Sequence, residues 1–272
     1  MVSTTNSAGN ESAIKYFLIQ VISGLLYLES IVSSLNLEWL LVVAILLKLG
    51  LAPFHFWVPH VFVGLAYPML GVVSTLIKIP GLLLIQHRSN PFVWLSVLLS
   101  ILVGRLGGVF LRNFKKILAY SRIRHGGWLL AIRSNPIGWF YYLVIYRLVL
   151  FLFLDIANKI YIKGVAQTPK LERAEIQIRW TILTLSLAGL PPLLGFSAKW
   201  LVLTRLVVIN GWIVIVLAVL FSFSLFYYTQ IFILALLTGA KPSKQKESFS
   251  SWLKIFISFT LTPFILSFVE LI

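Results

Sequence analysis

The sequence contains no cysteine and few acidic residues, and these shortages exclude several classes of function. Without cysteine the chain can form no disulfide, supply no thiolate to an iron–sulfur cluster and perform no thiol catalysis. Its 8 acidic residues face 23 lysines and arginines, which gives a net charge of +15. The sequence also shows no metal-ligand cluster, no Ser/His/Asp arrangement and no phosphate-binding loop. We therefore expect no metal, no bound cofactor and no redox centre in this chain.

Long apolar runs dominate what the sequence does contain. Hydrophobic residues make up 59% of it and charged residues 11%, with a mean hydropathy of +0.95, which is typical of integral membrane proteins. Because a span needs about 20 apolar residues and strand-like alternation is absent, we predict an all-α polytopic membrane protein. It forms a single membrane domain over residues 1–272. The nine predicted spans are residues 13–35, 38–57, 69–87, 92–111, 113–133, 137–157, 179–207, 211–238 and 252–271.

The positive charge follows the predicted topology. No basic and aromatic residues interleave on a soluble domain, so nucleic-acid binding is not expected. The loops on the N-terminal side hold Arg112, Lys115, Lys116, Lys159, Lys163, Lys170, Arg173, Arg179, Lys241, Lys244 and Lys246. The opposite side holds Arg88, Arg133 and Arg205. By the positive-inside rule the N-terminus lies on the matrix or cytoplasmic side and the C-terminus on the opposite face. The basic loops are also expected to attract anionic lipids.

Prolines interrupt two of the predicted spans. Pro53 lies in LGLAPFHFW in the second span, and Pro191 and Pro192 lie in LAGLPPLLGF in the seventh. A proline removes a backbone donor and clashes with the preceding turn. In lipid, the freed carbonyls must be buried in protein or line a wet cavity. Many transporters build mid-membrane ion sites from such broken helices, and an ordinary kink is the alternative.

Three lysines, Lys48, Lys78 and Lys199, lie deep within predicted spans. A charge at the bilayer centre costs about 3 kcal/mol on insertion scales, so such residues are rare and tend to serve ion or proton movement. The alternative is a snorkelling lysine or a structural ion pair. Arg105 and Arg147 also lie within spans, and for both we favour structural pairing or snorkelling. Transport of charge across a membrane is the function that the lysines indicate.

Several long strings resemble a known family. LLKLGLAPFHFWVP, KKILAYSRIRHGGWL and LAGLPPLLGFSAKW, together with the opening ESAIKYFLIQ, are similar to NADH dehydrogenase subunit 2, the antiporter-like membrane subunit of respiratory complex I. The motifs run in family order from residue 11 to about residue 204, and the last two spans match by hydropathy alone. The resemblance implies a proton-translocating subunit of NADH:ubiquinone oxidoreductase in the mitochondrial inner membrane, with a bacterial plasma membrane less favoured. NADH, flavin, iron–sulfur clusters and ubiquinone would be bound by other subunits.

The resemblance also implies a proton relay. Lys48 matches the lysine of the first broken helix, which the family pairs with an acidic residue, and Lys78 matches the central lysine of the next helix. His125 matches a histidine of the polar axis, and Lys199 matches the terminal lysine on the second broken helix. A satisfied core histidine is the alternative for His125. His55 is expected to cap the helix break and is left out of the relay.

One family feature is missing from the sequence. In the family, a helix before the ESAIKYF-like segment carries the acidic partner of the Lys48 equivalent, and no such helix is present here. Neither Glu11 nor Glu29 matches it. We therefore expect a split subunit, in which a separate chain supplies the missing helices and their acid. A truncated product with a dead relay and an incomplete sequence are the alternatives.

Three positions depart from the family pattern. His60 stands where the family has Glu or Asp, and Arg122 and Arg124 replace small or apolar residues near His125. The two arginines could face lipid headgroups, a partner subunit or an acid such as Asp155.

Two other functions also stay open. One is a subunit of a multisubunit cation/proton antiporter, and the other is a structural membrane-arm subunit that no longer transports protons.

Overall fold

The computed structural model describes residues 7–33, 38–86, 90–109, 111, 113–160, 174–190, 193–209, 211–212 and 214–220. Its regular elements there are the α-helices α1 Ser7–Val32, α2 Glu38–Leu49, α3 Trp57–Gly64, α4 Tyr67–Thr75, α5 Lys78–Ile85, α6 Pro91–Val109, α7 Phe114–Ala131, α8 Pro136–Ile160, α9 Ala174–Ala188 and α10 Leu194–Ile209. Residues 211–212 and 214–220 are helical as well. The predicted helical class is confirmed.

Four of the described helical stretches are long and apolar enough to cross a membrane: Gly9–Val32, Tyr67–Ile85, Pro91–Gly108 and Pro136–Lys159. The count of nine spans stays a prediction, because residues 252–271 and most of 211–238 lie outside the described part. The chain divides into two compact units, Met1–Phe140 and Tyr141–Ile272. A single membrane domain likewise stays a prediction.

Asparagine side chains set the start of three helices. The side-chain oxygen of Asn113 accepts a hydrogen bond from the Lys115 N–H at 3.1 Å. Asn90 does the same for α6 and Asn135 for α8, at 2.9 and 3.1 Å. Each of these last two is followed by a proline, whose fixed φ and missing donor suit the first helical position.

In the first unit, α6 and α7 form an antiparallel pair that is spaced by glycines. A Cβ on Gly104 would lie 2.7 Å from the backbone N of Arg124, and one on Gly127 would lie 2.8 Å from the Ile101 side chain. A Cβ on Gly107 would overlap the Tyr120 ring. Small residues therefore let these two backbones approach closely.

The second and third predicted spans are each interrupted in the structure, in ways that differ from the prediction. The second span, predicted over 38–57, stops at Leu49 and resumes as α3, which continues to Gly64. The third is divided into α4 and α5 just before Lys78. Pro80 explains this division, because it has no N–H to donate to the Leu76 carbonyl four residues earlier. That carbonyl accepts instead from the Ile79 N–H at 3.2 Å.

In the second unit, aromatic packing holds α9. Trp180 is fully buried and stacks on Phe153 of α8, with ring centroids 4.4 Å apart. On the exposed surface of α8, Lys159 pairs with Asp155 at 2.8 Å. Asp155 thus meets a cation one turn away on its own helix.

Lys115, at the start of α7, caps the C-terminal end of α3. Its Nζ donates to the carbonyl oxygens of Val63 and Leu65 at 3.1 and 2.6 Å, and it lies 5.4 Å from the centroid of the Tyr67 ring. The last carbonyls of a helix lack intrahelical partners and carry the negative end of its dipole. A lysine of the predicted basic loop therefore stabilises a helix end.

We predict that Lys115→Met lowers the stability of the first unit, because the carbonyls at the end of α3 lose a charged donor. Hydrogen bonds to charged groups contribute about 1.5–3 kcal/mol. The measurement is the thermal midpoint of the purified complex that contains the chain. The neighbouring Lys116→Met serves as the control, and equal midpoints for the two variants would contradict the assignment.

Candidate functional site

The first helix break lies between α2 and α3 and begins at a glycine. Gly50 has a φ of 67°, which places it in the left-handed region. Its N–H donates to the Leu47 carbonyl at 3.2 Å, and the Leu51 N–H donates to the Leu46 carbonyl at 3.1 Å. This is the Schellman pattern of hydrogen bonds, in which a left-handed glycine ends a helix. The left-handed glycine that ends the helix thus lies three residues before Pro53.

Side-chain donors reach the last carbonyls of α2. Trp57 Nε1 donates to the Leu47 carbonyl at 3.3 Å, and Gln20 Nε2 of α1 donates to the Lys48 carbonyl at 3.4 Å. Orphan carbonyls at a helix end need such partners, because water is excluded from the hydrocarbon region. The break is thus anchored by α1 on one side and by the start of α3 on the other.

Two serines of α6 bind the backbone within the break. Ser100 Oγ accepts from the Ala52 N–H at 3.0 Å, and Ser96 Oγ donates to the Ala52 carbonyl at 2.7 Å. Both serines are fully buried. His55 Nδ1 lies 3.2 Å from the Pro53 carbonyl within the break, and its capping of a helix end stays a prediction. Each of these polar groups helps to satisfy an irregular backbone that is surrounded by apolar side chains.

Lys48 occupies the last turn of α2, where it is half-buried. A cation is favourable at this position, because the helix dipole places negative partial charge at the C-terminus. Among the described residues, no aspartate or glutamate forms an ion pair with Lys48. The described chain therefore positions this lysine without supplying the acid that the family resemblance implies.

The second break lies between α9 and α10 and repeats the backbone of the first. Gly189 has a φ of 87°, and its N–H donates to the Ser186 carbonyl at 3.0 Å. The Leu190 N–H donates to the Leu185 carbonyl at 3.3 Å. Both breaks thus start with a Gly-Leu pair in the Schellman pattern. Pro191 and Pro192, which predicted this break, lie outside the described residues.

Lys199 of α10 points back at the end of α9. It is 1% exposed, and its Nζ donates to the Leu187 carbonyl at 3.4 Å and to the Ala188 carbonyl. These are the last carbonyls of α9, so the ammonium lies at the negative end of that helix dipole. A lysine in the second half of the broken helix therefore binds the end of the first half.

Lys78 is the first residue of α5 and is also 1% exposed. Its Nζ donates to the Arg122 carbonyl of α7 at 3.0 Å. A Cβ on Gly126 would lie 3.3 Å from the same Nζ. His125 is the residue before this glycine and is buried. The structure therefore places Lys78 against the turn of α7 that carries His125.

The two arginines around His125 have different surroundings. Arg122 is buried with its guanidinium 5.4 Å from the Trp57 ring centroid and 5.7 Å from that of Phe62. Aromatic faces attract cations, and Arg favours this arrangement. An Arg124 guanidinium nitrogen lies 3.5 Å from His125 Nε2 and 3.5 Å from Ser121 Oγ. The aromatic contacts of Arg122 were not among the partners that the sequence suggested.

The predicted relay residues are divided between the two units. Lys48, Lys78 and His125 lie in the first unit and Lys199 in the second. Within the first unit α2 packs on α5, since a Cβ on Gly81 would lie 2.7 Å from the Leu49 side chain. The structure thus brings the helix end that carries Lys48 beside the helix that begins with Lys78.

Arg105 and Arg147 differ in environment. Arg147 is exposed on α8, as a snorkelling arginine would be. Arg105 is 8% exposed, and its guanidinium nitrogens have no hydrogen-bond partner among the described residues. The structural pairing considered for Arg105 is therefore not observed in that part of the chain.

Comparison with known proteins assigns this architecture to a family. Residues 18–226 match the family described as NADH:quinone oxidoreductase/Mrp antiporter, TM, and the match covers most of the chain. The chain belongs to this antiporter-type membrane family. It is 34% identical over 239 residues to NADH-ubiquinone oxidoreductase chain 2 of Anopheles gambiae, covering 82% of this chain and 70% of the relative. It is 32% identical to chain 2 of Hylobates lar, covering 94% and 81%.

Solved structures share the fold of this NADH:quinone oxidoreductase/Mrp antiporter family member. A chain of respiratory complex I from Thermus thermophilus superposes with a TM-score of 0.78 at 24% identity, covering 97% of this chain and 68% of that one. A chain of the Mrp complex from Dietzia sp. gives 0.71 at 18% identity, covering 88% and 53%. The resemblance to an antiporter-like subunit of the chain 2 type is confirmed, and the sequence relatives favour it over the Mrp-type alternative.

Ser96 and Ser100, which bind the backbone at the first helix break, were not predicted from the sequence. They are four residues apart in the apolar string WLSVLLSILV, so they share one face of α6. Two hydroxyls on one face of a membrane helix were a usable signal, because each needs a partner there. Their partner is the backbone of Ala52, 44 and 48 residues away, and no residue type in the sequence identifies a backbone partner.

We predict that Ser96→Ala and Ser100→Ala each destabilise the first break, because each leaves a buried backbone group of Ala52 without this partner. The cost of an unsatisfied buried group is about 1–3 kcal/mol. The measurement is the thermal midpoint of the complex. Ser74→Ala is the matched control, since the equally buried Ser74 hydroxyl bonds only the Leu70 carbonyl of its own helix in the described contacts. A loss no greater than that of the control would refute the assignment.

Proposed function

We propose that the chain is an antiporter-like, proton-translocating subunit of respiratory complex I and that Lys48, Lys78, His125 and Lys199 carry the protons. Family membership supports the function, and the geometry supports the residues. The observation that carries most weight is that Lys78 and Lys199, each 1% exposed, donate to main-chain carbonyls within the membrane-type helices. Buried ionisable groups at such positions are rare and mark proton or ion pathways.

The physical coupling that we propose is electrostatic. Charges in a low-dielectric interior interact over longer distances than in water, so a proton arriving at one lysine raises the free energy of a neighbouring ammonium. The packing of α2 on α5 and the contact of Lys78 with α7 support this sequence of steps for Lys48, Lys78 and His125. Electron transfer, with its cofactors, takes place in other subunits.

We further propose that Lys48 pairs with an acid from outside the described residues, supplied by a neighbouring membrane-arm subunit. Two observations support this. No described acid pairs with Lys48. Beside it, α1 leaves large apolar side chains exposed, including Phe17 at 64% and Leu25 at 61%. A further membrane helix can pack there, and a split subunit remains the prediction for its origin.

Localisation follows from the family and the relatives. The chain is a multi-pass membrane protein of the inner mitochondrial membrane type. We propose that its N-terminus faces the matrix, because the basic loops lie on that side of the predicted topology. The nine spans form one membrane domain in this proposal, and other complex I membrane subunits and lipids surround it.

We predict that Lys78→Met and Lys199→Met each reduce proton pumping about tenfold or more, because Met keeps the side-chain length and removes the proton carrier. The measurement is protons translocated per quinone reduced by the assembled complex in liposomes. Lys159→Met is the control, since Lys159 is exposed and pairs with Asp155. Normal pumping by both relay variants in a fully assembled complex would show that the subunit is structural.

A further inference from the structure

Two lysines are fully buried in the described part of the chain, Lys78 and Lys199. They share an arrangement that neither the motifs nor the relay assignment explains. Each ammonium contacts a main-chain carbonyl beside a glycine. A Cβ on that glycine would lie 3.3 Å from the ammonium nitrogen in one case and would overlap it in the other. For Lys78 the glycine is Gly126, and for Lys199 it is Gly189. The two glycines differ in backbone conformation, since Gly126 is helical and Gly189 has a φ of 87°. A shared need for space at the ammonium accounts for both.

The geometry at Gly126 is set by the helix. In α7 the carbonyl of Arg122 also accepts from the N–H of Gly126 in the regular pattern, so Lys78 shares this acceptor with the backbone. A donor from another helix approaches the carbonyl of residue i on the side where the Cβ of residue i+4 projects. A Cβ at position 126 would lie 3.3 Å from Lys78 Nζ and would overlap the Leu51 side chain. Without a side chain there, the ammonium can approach the carbonyl to 3.0 Å.

The geometry at Gly189 is tighter. A Cβ there would overlap Lys199 Nζ and would lie 3.0 and 3.1 Å from its Cδ and Cε. Lys199 could then no longer reach the Leu187 and Ala188 carbonyls along its present path. The positive φ by itself already favours glycine, so the steric role must be separated from backbone strain by experiment.

We propose that Gly126 and Gly189 are positioning residues that hold the ammonium groups of Lys78 and Lys199 against main-chain carbonyls. A carbonyl accepts a hydrogen bond from the ammonium without taking its proton, so this contact does not prevent release of the proton elsewhere. A carboxylate in the same place would compete for the proton and fix the charge. The pumping test of this inference rests on the proposed relay function, whereas its steric test does not.

The first test is Gly126→Ala in the assembled complex, with protons pumped per quinone reduced as the readout. Misplacing a reacting group by about 1 Å can cost up to about 100-fold in rate, so we expect pumping to fall about tenfold. In a helix, alanine is otherwise the more favourable residue, so a general loss of helix stability is not expected. Gly24→Ala is the matched control, because a Cβ there meets nothing within 4 Å. If Gly126→Ala pumps like the wild type while Lys78→Met pumps poorly, the proposal is overturned and the relay function is supported.

Leu51 provides a second comparison, because it is the other group near the added methyl. Leu51→Val shortens that side chain. If Gly126→Ala combined with Leu51→Val pumps like Leu51→Val alone, the defect came from packing and the proposal is wrong. If the combined variant stays defective relative to Leu51→Val, displacement of the ammonium is supported.

The third test uses thermal midpoints of the complex and needs no pumping. Gly189→Ala is compared in the wild-type and Lys199→Ala backgrounds as a double-mutant cycle. Backbone strain at a positive φ is common to both backgrounds and cancels. We expect Gly189→Ala to lower the midpoint less when the Lys199 side chain is shortened. Equal shifts in the two backgrounds would overturn the positioning role of Gly189, even if Lys78→Met and Lys199→Met pump normally and the relay function fails.

Discussion

The hydrogen bonding of main-chain carbonyls within the membrane constrains the whole site. A helix that stops inside the bilayer leaves carbonyls that lipid cannot satisfy. In the first break, donors from Trp57 and Gln20 reach them, and in the second break the donor is Lys199. The same carbonyls carry the negative end of each helix dipole, so they attract positive charge. In the second break, the helix end and the buried Lys199 therefore stabilise each other.

The shortage of acids shapes the electrostatics around this site. With 8 acidic residues against 23 basic ones, most buried cations must find other partners. Arg122 lies beside two aromatic rings, Lys115 binds the end of α3, and Lys78 binds a carbonyl of α7. These described contacts are all with neutral groups.

Sequence alone predicted the class of fold and the positions of the key lysines, because long apolar runs and charges within them are local signals. It placed the breaks at prolines, whereas each helix ends directly before a left-handed glycine. Gly50 and Gly189 precede the prolines by three and two residues. The prolines indicated the right region for each break, but they are not what ends the helix. A left-handed glycine ends the helical hydrogen bonds before the proline is reached. The serines that bind Ala52 could not be paired with it, because a contact over 44 residues depends on how α6 packs.

The two broken helices use their lysines in different ways, and this difference follows from where each lysine lies along the chain. Lys48 is in the last turn of the first half-helix, so its side chain is free to turn away from its own helix end. Lys199 belongs to the second half-helix and returns to the end of the first, so its ammonium is held at the break. A lysine of the first kind can change partners with small side-chain movements, whereas one of the second kind must leave the carbonyls of α9 to do so. From the order of lysine and glycine along the chain, we therefore expect Lys48 to change partners more readily than Lys199.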